Sequence, residues 1–160
     1  MYITEEGVYP LFFEEKEFPY SSKNEKTRSF EGLQAWQNAH SFVLEVYRLT
    51  VKFPSEEKFG LVSQLRRAAV SIAANIAEGS GKKSIRDIIR FFIISRGSVQ
   101  ECHYYLILAK DLAFLPPAEF SSLKEKLDQT GKLLNGLINS LEKNPPYLVL
   151  TSHQSPITSH

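Results

Sequence analysis

The sequence predicts an all-α fold, an antiparallel up-down-up-down four-helix bundle that meets further copies of itself. Three observations carry that expectation. Apolar residues recur at three- and four-residue intervals from residue 30 to residue 142, with no competing strand pattern. Breaks at Pro54, Gly79–Ser80–Gly81, Pro116–Pro117 and Pro145–Pro146 divide the stretch into four segments. The second segment, LVSQLRRAAVSIAANIAEG, has almost no face suited to water. Short connections between successive helices make them antiparallel neighbours.

The first helix is expected over 30–53, on the recurrence of Phe30, Leu33, Trp36, His40, Val43, Leu44, Tyr47 and Val51 before Pro54. The second is expected over 56–78, with Ser55 as N-cap, Glu56 and Glu57 in the first turn, and Gly79 and Gly81 closing it. At about 100° per residue, Leu61, Val62, Leu65, Ala69, Ile72 and Ile76 form one apolar stripe. Val70, Ala73, Ala74 and Ala77 form a second, small-residue stripe on the far side. Between them runs a polar line of Gln64, Arg67, Ser71, Asn75 and Glu78. A helix apolar nearly all round is buried nearly all round, and both stripes cannot face one core. Val70, Ala73 and Ala77 are therefore the candidate oligomer interface. Cover from the fourth helix and the N-terminal segment is the alternative.

The third helix is expected over 85–114, capped by Ser84 with Asp87 three positions on, and striped by Ile88, Phe91, Phe92, Val99, Cys102, Leu106 and Ala109. The fourth is expected over 118–142, carrying Phe120, Leu123, Leu127, Leu134, Leu137 and Leu141. Gly131 and Gly136 each lower its intrinsic stability by about 1 kcal/mol, so it depends on packing. Residues 1–29 form an N-terminal extension mixing Glu5, Glu6, Glu14, Glu15, Glu17 and Glu25 with Tyr2, Tyr9, Phe12, Phe13, Phe18 and Tyr20. Disordered tails are poor in aromatics, so this one is a candidate to dock on its own bundle or a neighbour, against the plainer reading of a mobile tail. Residues 143–160 form a C-terminal tail whose Tyr147-Leu148-Val149-Leu150 run reads as a frayed end, with a docking peptide as the alternative.

A chain of 160 residues with 42% hydrophobic and 23% charged residues fits one globular domain. Its net charge of +1 gives no global argument for nucleic acid or membrane. The single cysteine, Cys102, excludes an intrachain disulfide and argues against a thiolate zinc site. The start, MYITEEGVYP, has no secretory pattern, and no apolar run approaches a bilayer span, so a cytoplasmic setting is expected.

No catalytic constellation emerges, and the expectation is a protein that is not an enzyme, with no cofactor and no metal. Di-metal bundles use Glu-x-x-His on facing helices, a spacing not found here. Glu101, Cys102 and His103 are consecutive and fan apart on a helix. His40 reads as a boundary histidine, Cys102 as a small core residue, and Trp36 and Tyr47 as packing anchors. Gly79-Ser80-Gly81-Lys82-Lys83-Ser84 lacks the spacing and preceding strand of a phosphate-binding loop.

Two clusters remain. The polar line of the second helix needs partners, since a buried unsatisfied group costs about 1–3 kcal/mol. Ser98 and Glu101, three apart on the third helix, can supply them, with Arg67 paired to Glu101. Gln64, Arg67, Ser71, Asn75, Glu78, Ser98 and Glu101 are read as a structural polar network, with ligand binding as the alternative. From Leu61 to Arg96 the basic residues outnumber Glu78 and Asp87, and Arg66, Lys82, Lys83, Arg86 and Arg90 form a candidate nucleic-acid-binding patch. On one subunit such a patch reads as a solvated face. Repeated by symmetry, its phosphate contacts add.

The segments FEGLQAW, YRLTVKFPSEEKFGLVSQLRRAAVSIAANIAEGSGKKS and FFIISRGSVQECHYYLILAKDL closely resemble the four-helix-bundle proteins encoded in intervening sequences of bacterial 23S rRNA genes. The resemblance covers about residues 30–142. It implies a ring-like homo-oligomer, most often a pentamer, and kinship with the accessory protein of diversity-generating retroelements, a positively charged bundle that works with a reverse transcriptase. Arg96 stands where that family usually has a small residue before Gly97-Ser98. The resulting expectation is a homo-oligomeric scaffold that binds structured RNA or other nucleic acid, engages no membrane, and uses the basic surface. The alternatives are a protein adaptor recruiting an enzyme such as a reverse transcriptase and, more weakly, a small-ligand-binding bundle.

Overall fold

The computed structural model describes residues 29–143, together with the backbone of two two-residue strands, β1 (Ile3–Thr4) and β2 (Gly7–Val8), paired antiparallel. The expected docking of the N-terminal extension and fraying of Tyr147–Leu150 lie outside the described residues. Residues 29–143 are all-α, with helices α1 (Gln34–Thr50), α2 (Leu61–Ser80), α3 (Ile85–Asp111) and α4 (Pro117–Lys143). α1 packs on α2 and α4, and α3 packs on α2 and α4, which closes the bundle.

Several ends differ from the sequence expectation, each for a local reason. The first helix starts at Gln34. Phe30–Gly32 is a separate 3-10 turn, and Leu33 is extended (φ −80°, ψ 121°). The second starts at Leu61 rather than 56, because Ser55–Lys58 forms a 3-10 turn and Gly60 adopts φ −96°, ψ −119°. A Cβ at Gly60 would lie 2.6 Å from Glu57 Oε2, so glycine leaves room for that carboxylate. The cap comes from Glu57, whose Oε2 accepts from the Leu61 N–H at 2.9 Å and sets a negative charge at the helix N-terminus.

Gly79 is inside α2 instead of capping it, and Gly81 closes the helix at an ordinary φ of −85°. Ser84 caps α3: its Oγ accepts from the Asp87 N–H at 3.1 Å and donates to Asp87 Oδ2 at 2.7 Å. α3 ends at Asp111, where Ala113 turns left-handed (φ 59°). The Phe114 N–H then reaches Ala109 O at 2.9 Å and the Ala113 N–H reaches Lys110 O at 3.0 Å, the paired bonds of a Schellman ending.

The core is filled by Phe42 and Val46 from α1, Leu65, Ile72 and Ile76 from α2, Val99, Cys102 and Leu106 from α3, and Leu123, Leu127 and Leu134 from α4. The buried threonine hydroxyls are satisfied within their own helices, Thr50 Oγ1 donating to Val46 O at 2.7 Å and Thr130 Oγ1 to Lys126 O at 2.8 Å. Burial, and then the neighbouring Glu101 carboxylate, push the Cys102 thiol far above its ordinary range. α3 packs tightly against α2 at Gly79, where a Cβ would lie 3.0 Å from Phe91 Cβ and 3.0 Å from Phe92 Cε1. This seam requires glycine for space.

Candidate nucleic-acid interface

The polar residues of α2 meet α3 along one seam, and partner numbers on α3 fall as those on α2 rise. Arg67 Nη2 donates to Glu101 Oε1 at 2.6 Å, and the Gln64 amide oxygen accepts from Arg67 Nη2 at 3.1 Å. Tyr105, which the sequence reading did not include, donates its phenol to the same Glu101 oxygen at 3.2 Å. Lost hydration, then that hydrogen bond to the carboxylate, raise the Tyr105 pKa above its ordinary value. Its place four residues after Glu101 on the same helix was the available signal.

Further along, Asn75 Nδ2 donates to Ser71 Oγ at 3.1 Å, Ser71 and Ser98 hydroxyls lie 2.8 Å apart, and Ser98 Oγ donates to Ile94 O at 3.3 Å. With Asn75 donating at one end and the Ile94 carbonyl accepting at the other, the chain of protons is consistent if Ser71 donates to Ser98. Ser95, fully buried, donates to Ile72 O at 2.9 Å. Glu78 does not join the seam. It pairs with Lys82 at 3.1 Å. Arg67 and Glu101 are both substantially exposed, so their pair contributes at most about 1 kcal/mol.

The five candidate cations divide. Arg66 is half-buried and committed to α1: Nε donates to Thr50 Oγ1 at 2.8 Å, and the guanidinium lies 4.7 Å over the Tyr47 ring. It falls out of the patch because position 66 lies on the side of α2 that faces α1. Lys82 is tied to Glu78 and lies 4.7 Å over Phe91, while Arg90 covers the same ring at 5.1 Å. Lys83, Arg86 and Arg90 are exposed. Arg86 and Arg90 stand one turn apart on the outward face of α3.

That face continues into apolar residues. Val70, Ile93, Ile94, Tyr104 and Ile107 keep 41 to 59% of their surface exposed, and Gly97 and Ala74 are exposed among them. A Cβ on Gly97 would meet nothing within 4 Å. Of the candidate interface residues, Val70 is outward and Ala77 half-buried. Ala73 requires correction, since it is already 8% exposed inside the chain's own core. Arg96, which stands in place of a small residue, reaches across to α4, where Nη1 donates to Asn135 Oδ1 at 3.3 Å.

Among the described residues no group of three or more His, Cys, Asp or Glu could hold a metal ion, and no helix is long and apolar enough to cross a membrane. An all-helical bundle with an outward face half cationic and half aliphatic is thus the class of protein at hand. The family described as 23S rRNA-intervening sequence protein matches residues 31–136, and the chain belongs to it. A solved structure from Bacteroides thetaiotaomicron, a protein of unknown function from the S23 ribosomal protein family, is similar in fold. It shares 22% identity at a TM-score of 0.61, covering 66% of this chain and 95% of that one. No curated protein matches this sequence.

Proposed function

We propose that this chain is a non-enzymatic scaffold, an up-down-up-down bundle that assembles with identical copies into a ring of five and binds structured RNA through cations repeated around it. One observation carries the reading: on the outward face of α3, Arg86 and Arg90 run directly into exposed Ile93, Ile94 and Gly97. Aliphatic surface of that kind is suited to burial by a second subunit, and the cations beside it then line a shared rim. The family's description, which names an rRNA intervening sequence, agrees with an RNA partner. No base-reading element accompanies the patch, so binding is to phosphate and shape.

The test combines solution mass with a salt titration of binding to mixed-sequence structured RNA. A homo-oligomer whose affinity falls steeply with salt is expected, and Arg86→Ala with Arg90→Ala flattens the slope by about one unit per lost phosphate contact. A monomer, or an affinity indifferent to salt, overturns the reading. Tyr104 and Ile107, exposed further along α3 and away from the cations, favour a second reading as a protein adaptor. That reading predicts an intact oligomer with no RNA affinity.

A further inference from the structure

A shallow groove of about 530 Å³ runs along the outer side of α1, on the opposite flank from the seam. Its floor is Trp36, His40 and Leu44, spaced four apart. The Trp36 and His40 rings stack at 4.8 Å and 8°, and Leu44 is 41% exposed. Arg48 and, from α4, Lys126 form its wall, and they share one carboxylate, Glu45, at 3.6 and 2.5 Å. Two cations against one carboxylate leave the wall positive.

We propose that this groove seats the chain's own N-terminal segment, through the acidic-aromatic stretch Phe12-Phe13-Glu14-Glu15-Lys16-Glu17-Phe18. The point of entry supports it. Phe30 packs edge-on against Trp36 at 5.1 Å, and Gln37 Nε2 donates to Glu31 O at 2.8 Å, so residues 1–29 join the bundle at the rim of the groove. Length supports it too. From Trp36 to Arg48 the groove extends about 18 Å along the helix. The eleven residues between Phe18 and Phe30 can span roughly 35 Å. Charge and shape agree: three glutamates against one lysine face a positive wall, and phenylalanines meet a floor of stacked rings and leucine. Attachment in the same chain raises the local concentration of the segment to the mM range, enough for a contact that would be weak between separate molecules.

Trp36 is the only tryptophan in the chain and therefore reports the groove alone. In the full-length protein, replacing Phe12, Phe13 and Phe18 with Ser is expected to shift its emission to the red and raise quenching by acrylamide, with unchanged helical circular dichroism. Glu14→Lys with Glu15→Lys and Glu17→Lys does the same, and adding Arg48→Glu to that variant moves the emission back toward the blue. Identical emission and quenching in wild type and both segment variants would overturn the proposal. So would protection of Trp36 that disappears on dilution in step with subunit dissociation, because the segment would then be a neighbour's.

Discussion

α3 and α4 are equal in length, 27 residues each, and lie side by side, yet they end differently at their outer surfaces. The outward residues of α4 include Lys124, Glu125, Lys132, Asn135 and Asn139, and none of its large apolar residues is strongly exposed. The outward residues of α3 include Arg86 and Arg90 followed by Ile93, Ile94, Tyr104 and Ile107, with Gln100 and Lys110 among the polar exceptions in the later turns. Each helix also carries an exposed glycine whose Cβ would touch nothing, Gly97 on α3 and Gly136 on α4. Only the first has isoleucines beside it. A polar surface explains itself by water, whereas an aliphatic one calls for a partner.

The strongest way to break this contrast is to charge the two faces in turn. Ile93→Asp with Ile94→Asp is expected to remove 2 kcal/mol or more of association per contact, roughly the weight of interface hot spots, and to give a folded monomer by light scattering. Asn135→Asp with Asn139→Asp on α4 leaves the mass unchanged. Equal behaviour of the two pairs ends the comparison. A smaller effect comes from the glycines. Gly97→Ala and Gly136→Ala should each raise the stability of a single subunit by about 1 kcal/mol in urea unfolding. Only Gly97→Ala is expected to weaken self-association as well.

The smallest effect is on the α3–α4 contact itself. The hydrogen bond from Lys124, with the charge of Lys124 and then of His103, holds the Asp128 carboxyl below the usual carboxylate range. His103 Nε2 lies 2.9 Å from Asp128 Oδ1 on the same carboxylate. Because the folded value is the lower one, this carboxylate contributes stability above its ordinary pKa and loses it as pH falls through the depressed value. Asp128→Asn should therefore lower stability slightly at neutral pH and change it little in acid, so that the acid limb of the profile becomes shallower, measured by denaturant midpoints from pH 7 downward.

The core stripe is legible in sequence because apolar periodicity leaves little freedom: Leu61, Leu65, Ile72 and Ile76 can face only one way on a helix. The seam between α2 and α3 is legible for a related reason, since polar groups beside an apolar stripe must find partners, and Ser71 finds Ser98 on the next helix while Asn75 bonds back to Ser71. Arg66 shows where such reading fails. Its spacing marks it as outside the core, but the Thr50 hydroxyl and Tyr47 ring that hold it come from another helix, at a distance no local pattern encodes. Gly79 and Gly97 look alike as letters, and only the packing of Phe91 and Phe92 separates a glycine needed for space from one open to the outside. The start of α2 departs from the expectation because Ser55 and two glutamates form a good capping signal, which Gly60 interrupts and Glu57 resumes from within a 3-10 turn.

The burial of Cys102 gives the bundle a built-in clock. A lone thiol, completely enclosed and held protonated, cannot be alkylated until α3 parts from its neighbours. The rate of iodoacetamide labelling should then follow the frequency with which the native protein opens, and in the proposed oligomer it should fall as subunits associate and rise on dilution.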